Sequence, residues 1–595
     1  MKNIFYQKRD ICLFILFLTV PFCLFSQEEQ VNQDVQVIRE YNPTVSDAFK
    51  INDMPTVGDT LTSMPIFRYQ LKGKALETSP NLVPFTAARI AQEPLNELFP
   101  AYIMGYGGFF APKSGGIYGG NLVYNLVRNE NFALAFNAQH ESAVGKIELE
   151  NGENETADYH DTKAGLYLRH FFKKSTLSAN MDFYNYAYKY YGYNTIFDTA
   201  KYINNTIDGT DILSDKQQQT AFDLNARLNN RVLKNDTKYD VLLGFYTFGN
   251  LTGVTENSFR YGGDFDFSIA DFIIRIGTAV DFAGTKTSKA DTNPAYNFED
   301  RNRTLLEINP ALLLNHGDFI IKLGMKFGID FDDLYELDPD PAYKKEPYIS
   351  PDVSVNFLVE NRVALFAGIT GDINPNSYRS IMAENPYISP DLNVRTAFYQ
   401  IKFFAGLKGN FSNKTAFAAR VEYGNFRNEH FFVNKFFVNN TLETHYSNQF
   451  GVEYDDGRLL SVSGEFKTFI TDYFDITLHA AYFGYNLDSL EKAWHKPNME
   501  LGLRANFKVT QDLIFTAAFN ILGERFALIP DDATTQRDIQ PLKPVFDFNL
   551  GAKYNLTHRW SLFASAQNIF LSKYYLYNGY PMHGINARIG AGYSF

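Results

Sequence analysis

The closing stretch Gly584 to Phe595 alternates strictly, with Ile585, Ala587, Ile589, Ala591, Tyr593 and Phe595 on one face and Asn586, Arg588, Gly590, Gly592 and Ser594 on the other. That is the period of a strand with one apolar and one wet side. The rhythm recurs upstream. Phe222, Leu224, Ala226 and Leu228 interleave with Asp223, Asn225, Arg227 and Asn229, and Leu501, Leu503, Ala505, Phe507 and Val509 with Gly502, Arg504, Asn506 and Lys508. A soluble sandwich would cover the apolar face with a second sheet, whereas a transmembrane barrel turns it to lipid and lines the lumen with the polar face. Alternation alone does not separate the two.

The connections do. Tight turns are predicted at Arg128 to Asn131, Lys173 to Ser175, Asn315 to Asp318, Glu360-Asn361, Thr510 to Asp512 and Thr557 to Arg559. Longer polar stretches fall between them: Gly145 to Asp161, Tyr191 to Lys216, Gly284 to Arg301, Asp332 to Ser350, Gly371 to Asn393, Asn486 to Pro497 and Gly523 to Pro541. Short periplasmic turns and long outer loops are the signature of an outer-membrane barrel. The expected fold is all-β, a transmembrane antiparallel barrel of 22 to 24 strands over 101–595. Phe426 to Asp456 stays ambiguous, because His430 to Asn440 reads as a strand or as part of a long loop.

Both chain ends agree. Lys2, Lys8 and Arg9 precede an apolar run from Ile11 to Phe25, with Ser26 at a cleavage position, which describes a signal peptide over 1–26. Cys23 follows the bulky Phe22, which argues against lipid attachment, and both cysteines, Cys12 and Cys23, fall in the removed segment. A mature chain has no thiol for a disulfide, a metal or catalysis. At the other end, Tyr593 and Phe595 are expected in the periplasmic aromatic girdle and resemble the sorting signal read by the outer-membrane assembly machinery. Outer-membrane lipid and that machinery are therefore expected partners.

Composition fits. Phe (55) and Tyr (38) far outnumber Trp (2), and the mature chain keeps 52 basic against 66 acidic side chains, a net of −14. So acidic a chain is a poor nucleic-acid binder.

Residues 27–100 read differently. Pro43, Pro55, Pro65, Pro80, Pro84, Pro94 and Pro100 interrupt short patches without sustained period, the mark of a partly ordered periplasmic lead-in. Asp34, Val35, Gln36, Val37 and Ile38 form a short alternating strand suited to adding to the sheet edge of a partner. The anchors Tyr41, Phe49, Ile51, Phe67 and Phe85 suggest ordering against the barrel, the part nearest Ala101 entering or crossing its periplasmic mouth.

Few residues suggest chemistry. Asp330, Asp332, Asp333, Glu336, Asp338 and Asp340 supply hard oxygen ligands without EF-hand spacing, so solvated carboxylates are expected. His140-Glu141-Ser142 is the nearest approach to a nucleophile and base, but direct sequence neighbours do not make an oriented triad. No enzyme activity, cofactor or metal is expected. Pro347 to Asp352 and Pro386 to Asp391 repeat the sequence PYISPD, and both copies are expected at one height on strands two apart, their tyrosines in the outer girdle. Gly105, Gly107, Gly108, Gly115, Gly116, Gly119 and Gly120 of the first hairpin, with Gly590 and Gly592, are expected to form a small-residue seam where the barrel closes.

The segment Gln567-Asn568-Ile569-Phe570, Lys573-Tyr574-Tyr575, Gly579-Tyr580-Pro581, Gly584 and then Arg588 to Phe595 resembles the closing hairpin of TonB-dependent receptors. The resemblance implies a 22-strand barrel, a role in moving a solute across the outer membrane, and TonB or another periplasmic protein as partner, with Asp34 to Ile38 in the place of a TonB box. It departs at the N-terminus: those receptors carry a plug of well over a hundred residues, and the 74 residues before Ala101 are too few. The alternative is a structural or assembly protein whose N-terminal segment recruits periplasmic partners.

Overall fold

The computed structural model describes residues 99–595 apart from 112–114, 150–151, 193–205, 208–209, 212–215, 231–236, 270–271, 288–299, 338–339, 341–342, 360–361, 439–443, 531–536 and 572. The predicted signal peptide, Asp34 to Ile38 and the proline-rich lead-in lie outside the described residues.

Among the described residues, 22 antiparallel strands close into one barrel. It runs from Ala101–Ala111 to Ile585–Ser594, each strand hydrogen-bonded to its sequence neighbours in the barrel. The first and last strands pair from Tyr102 with Ser594 to Ala111 with Ile585, so no edge is left open. Phe595 N–H donates to Ala101 O (2.9 Å), which ties the last residue to the first strand.

The membrane sets which face points where. Ile103, Phe109, Leu224, Phe245, Leu323, Phe327, Leu503, Phe507 and Ile589 are all exposed, as outward positions of a barrel in lipid must be. Their alternating neighbours face the lumen in cross-strand ion pairs, among them Arg275 with Asp266 (2.6 Å) and Arg588 with Glu141 (2.8 Å). Both ends of the barrel chain and the short turns share one end, the periplasmic one; the long connections sit at the other.

The ambiguous region resolves as a single hairpin. Thr415–Val438 pairs with Thr444–Thr471, with bulges after Phe426 and Asn434, and reaches well beyond the neighbouring strands. Asn428 at the first bulge has φ 57, and the strand bends there. This gives 22 strands and not 24.

The closing seam is not merely a strip of small residues. Tyr106 faces the lumen between Gly119 on one neighbouring strand and Gly590 on the other, and its ring fills the space both leave. A Cβ at Gly590 would come 2.7 Å from Tyr106 Cβ and 2.4 Å from the Phe563 ring; one at Gly119 would come 2.5 Å from the Tyr106 hydroxyl. Tyr106 and Tyr159 then donate to Glu141 (2.6 and 2.7 Å), which also holds Arg588. The glycines exist so that an aromatic ring can lie flat across the seam.

Candidate functional site at the outer mouth

The connection 375–396 leaves the barrel wall and turns inward. Ser377 caps a short helix, Tyr378–Glu384, by a reciprocal pair with Ser380. Asn385 ends the helix, and after a turn at Pro386-Tyr387 Ile388 forms a parallel bridge with Phe450 on the long hairpin before a second turn at Pro390-Asp391. Ser389 N–H donates to Phe450 O (2.8 Å) and Phe450 N–H to Tyr387 O (2.9 Å).

Lumen-facing residues hold this lid at both feet and in the middle. Glu256 accepts from the Tyr378 and Arg379 amides (2.8 and 3.2 Å), from the Tyr246 hydroxyl (2.8 Å) and from Thr285 Oγ1 (3.0 Å). Arg379 forms a bidentate pair with Asp223 (2.6 and 2.7 Å), its guanidinium 4.5 Å from the Tyr246 ring. Arg303 donates to the carbonyl of Asn376 and Arg301 to that of Val394, so each foot is gripped by a wall arginine. Tyr188 and Tyr190 donate to the carbonyls of Pro386 (2.6 Å) and Ile388 (3.0 Å). A cavity of ≈ 190 Å³, lined by Glu256, Arg301, Arg303, Leu334, Asn376 and Leu392, lies between the feet.

Apolar packing completes the closure. Tyr378, Ile381, Met382 and Ile388 of the lid are each at most 2% exposed, in one cluster with Tyr188, Phe248, Phe432, Phe450 and Tyr580. At about 25 cal/mol per Å² of apolar surface, such side chains contribute roughly 1.5–3 kcal/mol each, more than a surface loop can forgo. The last outer connection joins in: Tyr580 stacks on Tyr387 with centroids 3.6 Å apart, and the Tyr577 hydroxyl donates to Glu384 O.

A third loop, 488–498, meets the lid at its helix end. Glu384 pairs with His430 (2.7 Å) and Lys496 (2.9 Å), and Lys496 lies 3.6 Å from Glu429. Burial alone would raise the Glu384 carboxyl, but Lys496 and His430 hold it well below the usual range. Next to it His495 is buried among Phe450, Tyr577 and Phe432, and burial lowers its pKa to about 4 against the opposing hydrogen bond to Phe432 O. The neutral ring donates from Nδ1 to Phe432 O (2.9 Å) and accepts at Nε2 from Asn578 N–H (3.3 Å), linking loop 488–498 to the long hairpin and to the last outer connection. Trp494 forms a parallel bridge with Phe526 of the hairpin Arg525–Pro530 and Arg537–Leu542.

Several sequence expectations change here. The PYISPD copies are not equivalent: Tyr348 starts a strand, while Tyr387 lies in the lid. Tyr348 is not in the outer girdle either; it faces the lumen, 3% exposed, and donates to Tyr399 O (3.0 Å). The outward place at that height belongs to Ile349, one residue on. The acidic loop is not merely solvated: Asp332 pairs with Arg301, Asp340 with Arg395 (3.0 Å), and Asp330 accepts from Tyr335 (3.3 Å). Glu141 points into the lumen, whereas His140 and Ser142 lie on the opposite face of the strand, Ser142 buried against His160, so these neighbours converge on no common point. Tyr593 packs on Trp560 (4.8 Å) and Phe595 (4.9 Å) at the periplasmic rim.

The sequence places Asp223 only on the polar face of its strand and gives no sign of Glu256, Arg379 or Lys496. The one local signal is Ser377-Tyr378-Arg379-Ser380, a capping pattern inside what reads as a loop.

No protein-family model and no curated protein matches the sequence. Solved structures do match. The chain is similar to the siderophore receptor PirA from Acinetobacter baumannii at 10% identity and TM-score 0.59, covering 84% of this chain and 81% of that one. It is similar to the pyoverdine outer membrane receptor FpvA from Pseudomonas aeruginosa PAO1, bound to pyoverdine, at 12% identity and TM-score 0.59, covering 84% and 79%. The copper transporter OprC matches at 11% and TM-score 0.56, covering 84% and 81%. With its closed 22-strand wall and apolar outer face, the chain is an outer-membrane β-barrel with the barrel fold of TonB-dependent receptors.

Proposed function

We propose that this protein passes a solute across the outer membrane through a lumen gated at its outer mouth by its own loops. The observation that carries the reading is the lid 375–396: it is joined to the lumen wall by side-chain pairs and tyrosine hydrogen bonds that can open and reform, above a lumen lined with ion-paired polar residues. A wall built only as an anchor has no need of a polar lumen under a detachable cover. The similarity to receptors for siderophores and to a copper transporter supports the same direction. Asp34 to Ile38 is the proposed attachment strand for TonB or another periplasmic protein, which would supply the work of opening.

The anchor reading remains the second one, because a mouth packed this tightly is also what a barrel that carries nothing requires. Cells expressing the chain with 377–392 replaced by a short Gly-Ser linker should become sensitive to vancomycin-sized antibiotics. Unchanged resistance with normal barrel levels in the membrane favours the anchor. Deleting 27–38 should spare insertion and abolish function; normal function after that deletion removes Asp34 to Ile38 from the account.

A further inference from the structure

One column of the inner wall is built of tyrosine. On Ser175–Lys189 the outward Met181 and Phe183 are exposed, so the inward positions above Asp182 are Tyr184, Tyr186 and Tyr188, and Tyr190 follows just past the strand. Their rings succeed one another, Tyr184 and Tyr186 at 6.4 Å with planes 23° apart, Tyr186 and Tyr188 at 5.0 Å and 18°. On the neighbouring strand Tyr167 extends the column downward. Its ring lies across Gly165, where a Cβ would come 2.9 Å from Tyr167 Cε2, and its hydroxyl donates to Asp182 (3.0 Å), the residue paired with Gly165. From the level of Asp182 to that of Tyr188 the strand rises about 20 Å.

Closing the lid uses only the top of this column. The hydroxyls of Tyr188 and Tyr190 are taken by lid carbonyls. Tyr184 and Tyr186 lie at the lower edge of the lid cluster, partly exposed, and among the described residues neither hydroxyl has a hydrogen-bond partner. Tyr167 stands outside the cluster and is 44% exposed. The charged groups beside the column are matched to one another: Lys163 pairs with Asp161 (2.9 Å), Arg588 with Glu141 and Arg379 with Asp223. Asp182 accepts from the neutral Tyr167 and Asn180, and Arg169, one step below Tyr167, donates to the neutral Ser178 (3.3 Å). Charge beside the column therefore balances, with no surplus of either sign to select an ion.

We infer that the column is a binding track for a neutral saccharide chain. The inference rests on the solute-passage reading above and names the class of solute. A pyranose ring suits such a wall: its C–H face lies on an aromatic ring, and its rim of hydroxyls both donates and accepts, which serves Asp161, Lys163, Asp182 and the two unbonded tyrosine hydroxyls together. Successive tyrosines let a chain of such rings advance with only part of its contacts released at each step, the multi-site condition for passage through a pore. Packing on the lid accounts for Tyr188 and Tyr190; it accounts neither for the unbonded hydroxyls below them nor for Tyr167.

The test applies the full chain, in detergent so that both mouths meet solvent, to an array of linear neutral oligosaccharides of glucose, mannose, galactose, xylose and N-acetylglucosamine in increasing lengths. Wild type should retain at least one series, the longer members more tightly. Tyr184→Leu and Tyr167→Leu should each weaken that binding about tenfold, and Tyr184→Phe much less. Resistance of the barrel to SDS unfolding shows that the variants are folded, and unchanged protease protection of residues 386–391 shows that the lid is in place. No retention of any series, or retention that both leucine variants leave unchanged, overturns the inference. So does tighter binding of naphthoate than of every saccharide, which would make a planar aromatic acid the occupant. Binding is read without passage: a barrel that conducts yet retains no saccharide refutes the track alone, and one that retains saccharide yet never opens refutes the passage reading on which the track rests.

Discussion

Glu256 shows how much of the outer mouth rests on single lumen-facing side chains. It is 1% exposed and satisfies two lid amides and two wall hydroxyls. Glu256→Ala leaves those donors without an acceptor and should loosen the lid by about 2–4 kcal/mol, read as faster hydrogen exchange at residues 378–384 with the barrel strands unchanged. His495 makes the closure sensitive to acid. Its folded pKa of about 4 lies below the ordinary 6.5, so the unfolded loop binds the extra proton and the stability this ring contributes is present above about pH 6.5. It is lost as pH falls from there toward 4, by at most about 3 kcal/mol. Protease cleavage within 488–498 should therefore rise on acidification over that window, and His495→Gln should flatten the profile. On the lipid face, Leu503→Arg should cost roughly 2–4 kcal/mol near the midplane and Phe507→Arg, one residue from the periplasmic end of its strand, only about 0–1 kcal/mol, while Arg504→Leu should be mild; urea titrations in lipid vesicles separate them, and equal costs for Leu503→Arg and Arg504→Leu would contradict the assigned sense of the wall.

At the scale of elements, the lid and the long hairpin Thr415–Val438 and Thr444–Thr471 act together. The hairpin bends at its first bulge, and its outer part carries Phe432 and Phe450 against the lid and Phe431 against Trp494. Deleting the bulge residue Asn428 reverses which face each outer residue presents. The expected result is a barrel that still inserts while residues 386–391 become protease-sensitive; continued protection of that segment would mean the hairpin does not seat the lid. The alternating pattern predicted the strands because lipid outside and water inside fix the sense of every second residue along the wall. It could not predict the lid, whose partners lie far apart in sequence: Arg379 meets Asp223 across 156 residues, and Tyr188 meets Pro386 across 198. Tyr348 was misplaced for a related reason, since the repeated PYISPD sequence says nothing about which residue of the pair Tyr348-Ile349 faces out.

At the scale of the barrel, the described residues form a closed wall whose outer end is covered by loops folded onto its inner face. The strand count to within 22 to 24 and the pairing of the first strand with the last were legible from residue periodicity and turn lengths, because each depends on neighbours in sequence or in register; the single long hairpin that fixes 22 and the Tyr106 ring across the seam were not. The cover depends on buried charge pairs and aromatic contacts between connections, which leave no period to read. We propose that this cover, and not the wall, limits passage. Single-channel recording in planar bilayers tests it directly, comparing wild type with the double variant Glu256→Ala and Arg379→Ala, which releases the lid helix from two wall strands. Wild type should be nearly silent and the variant should show large, fluctuating conductance steps. Equal conductance in the two, whether both open or both silent, would contradict the account.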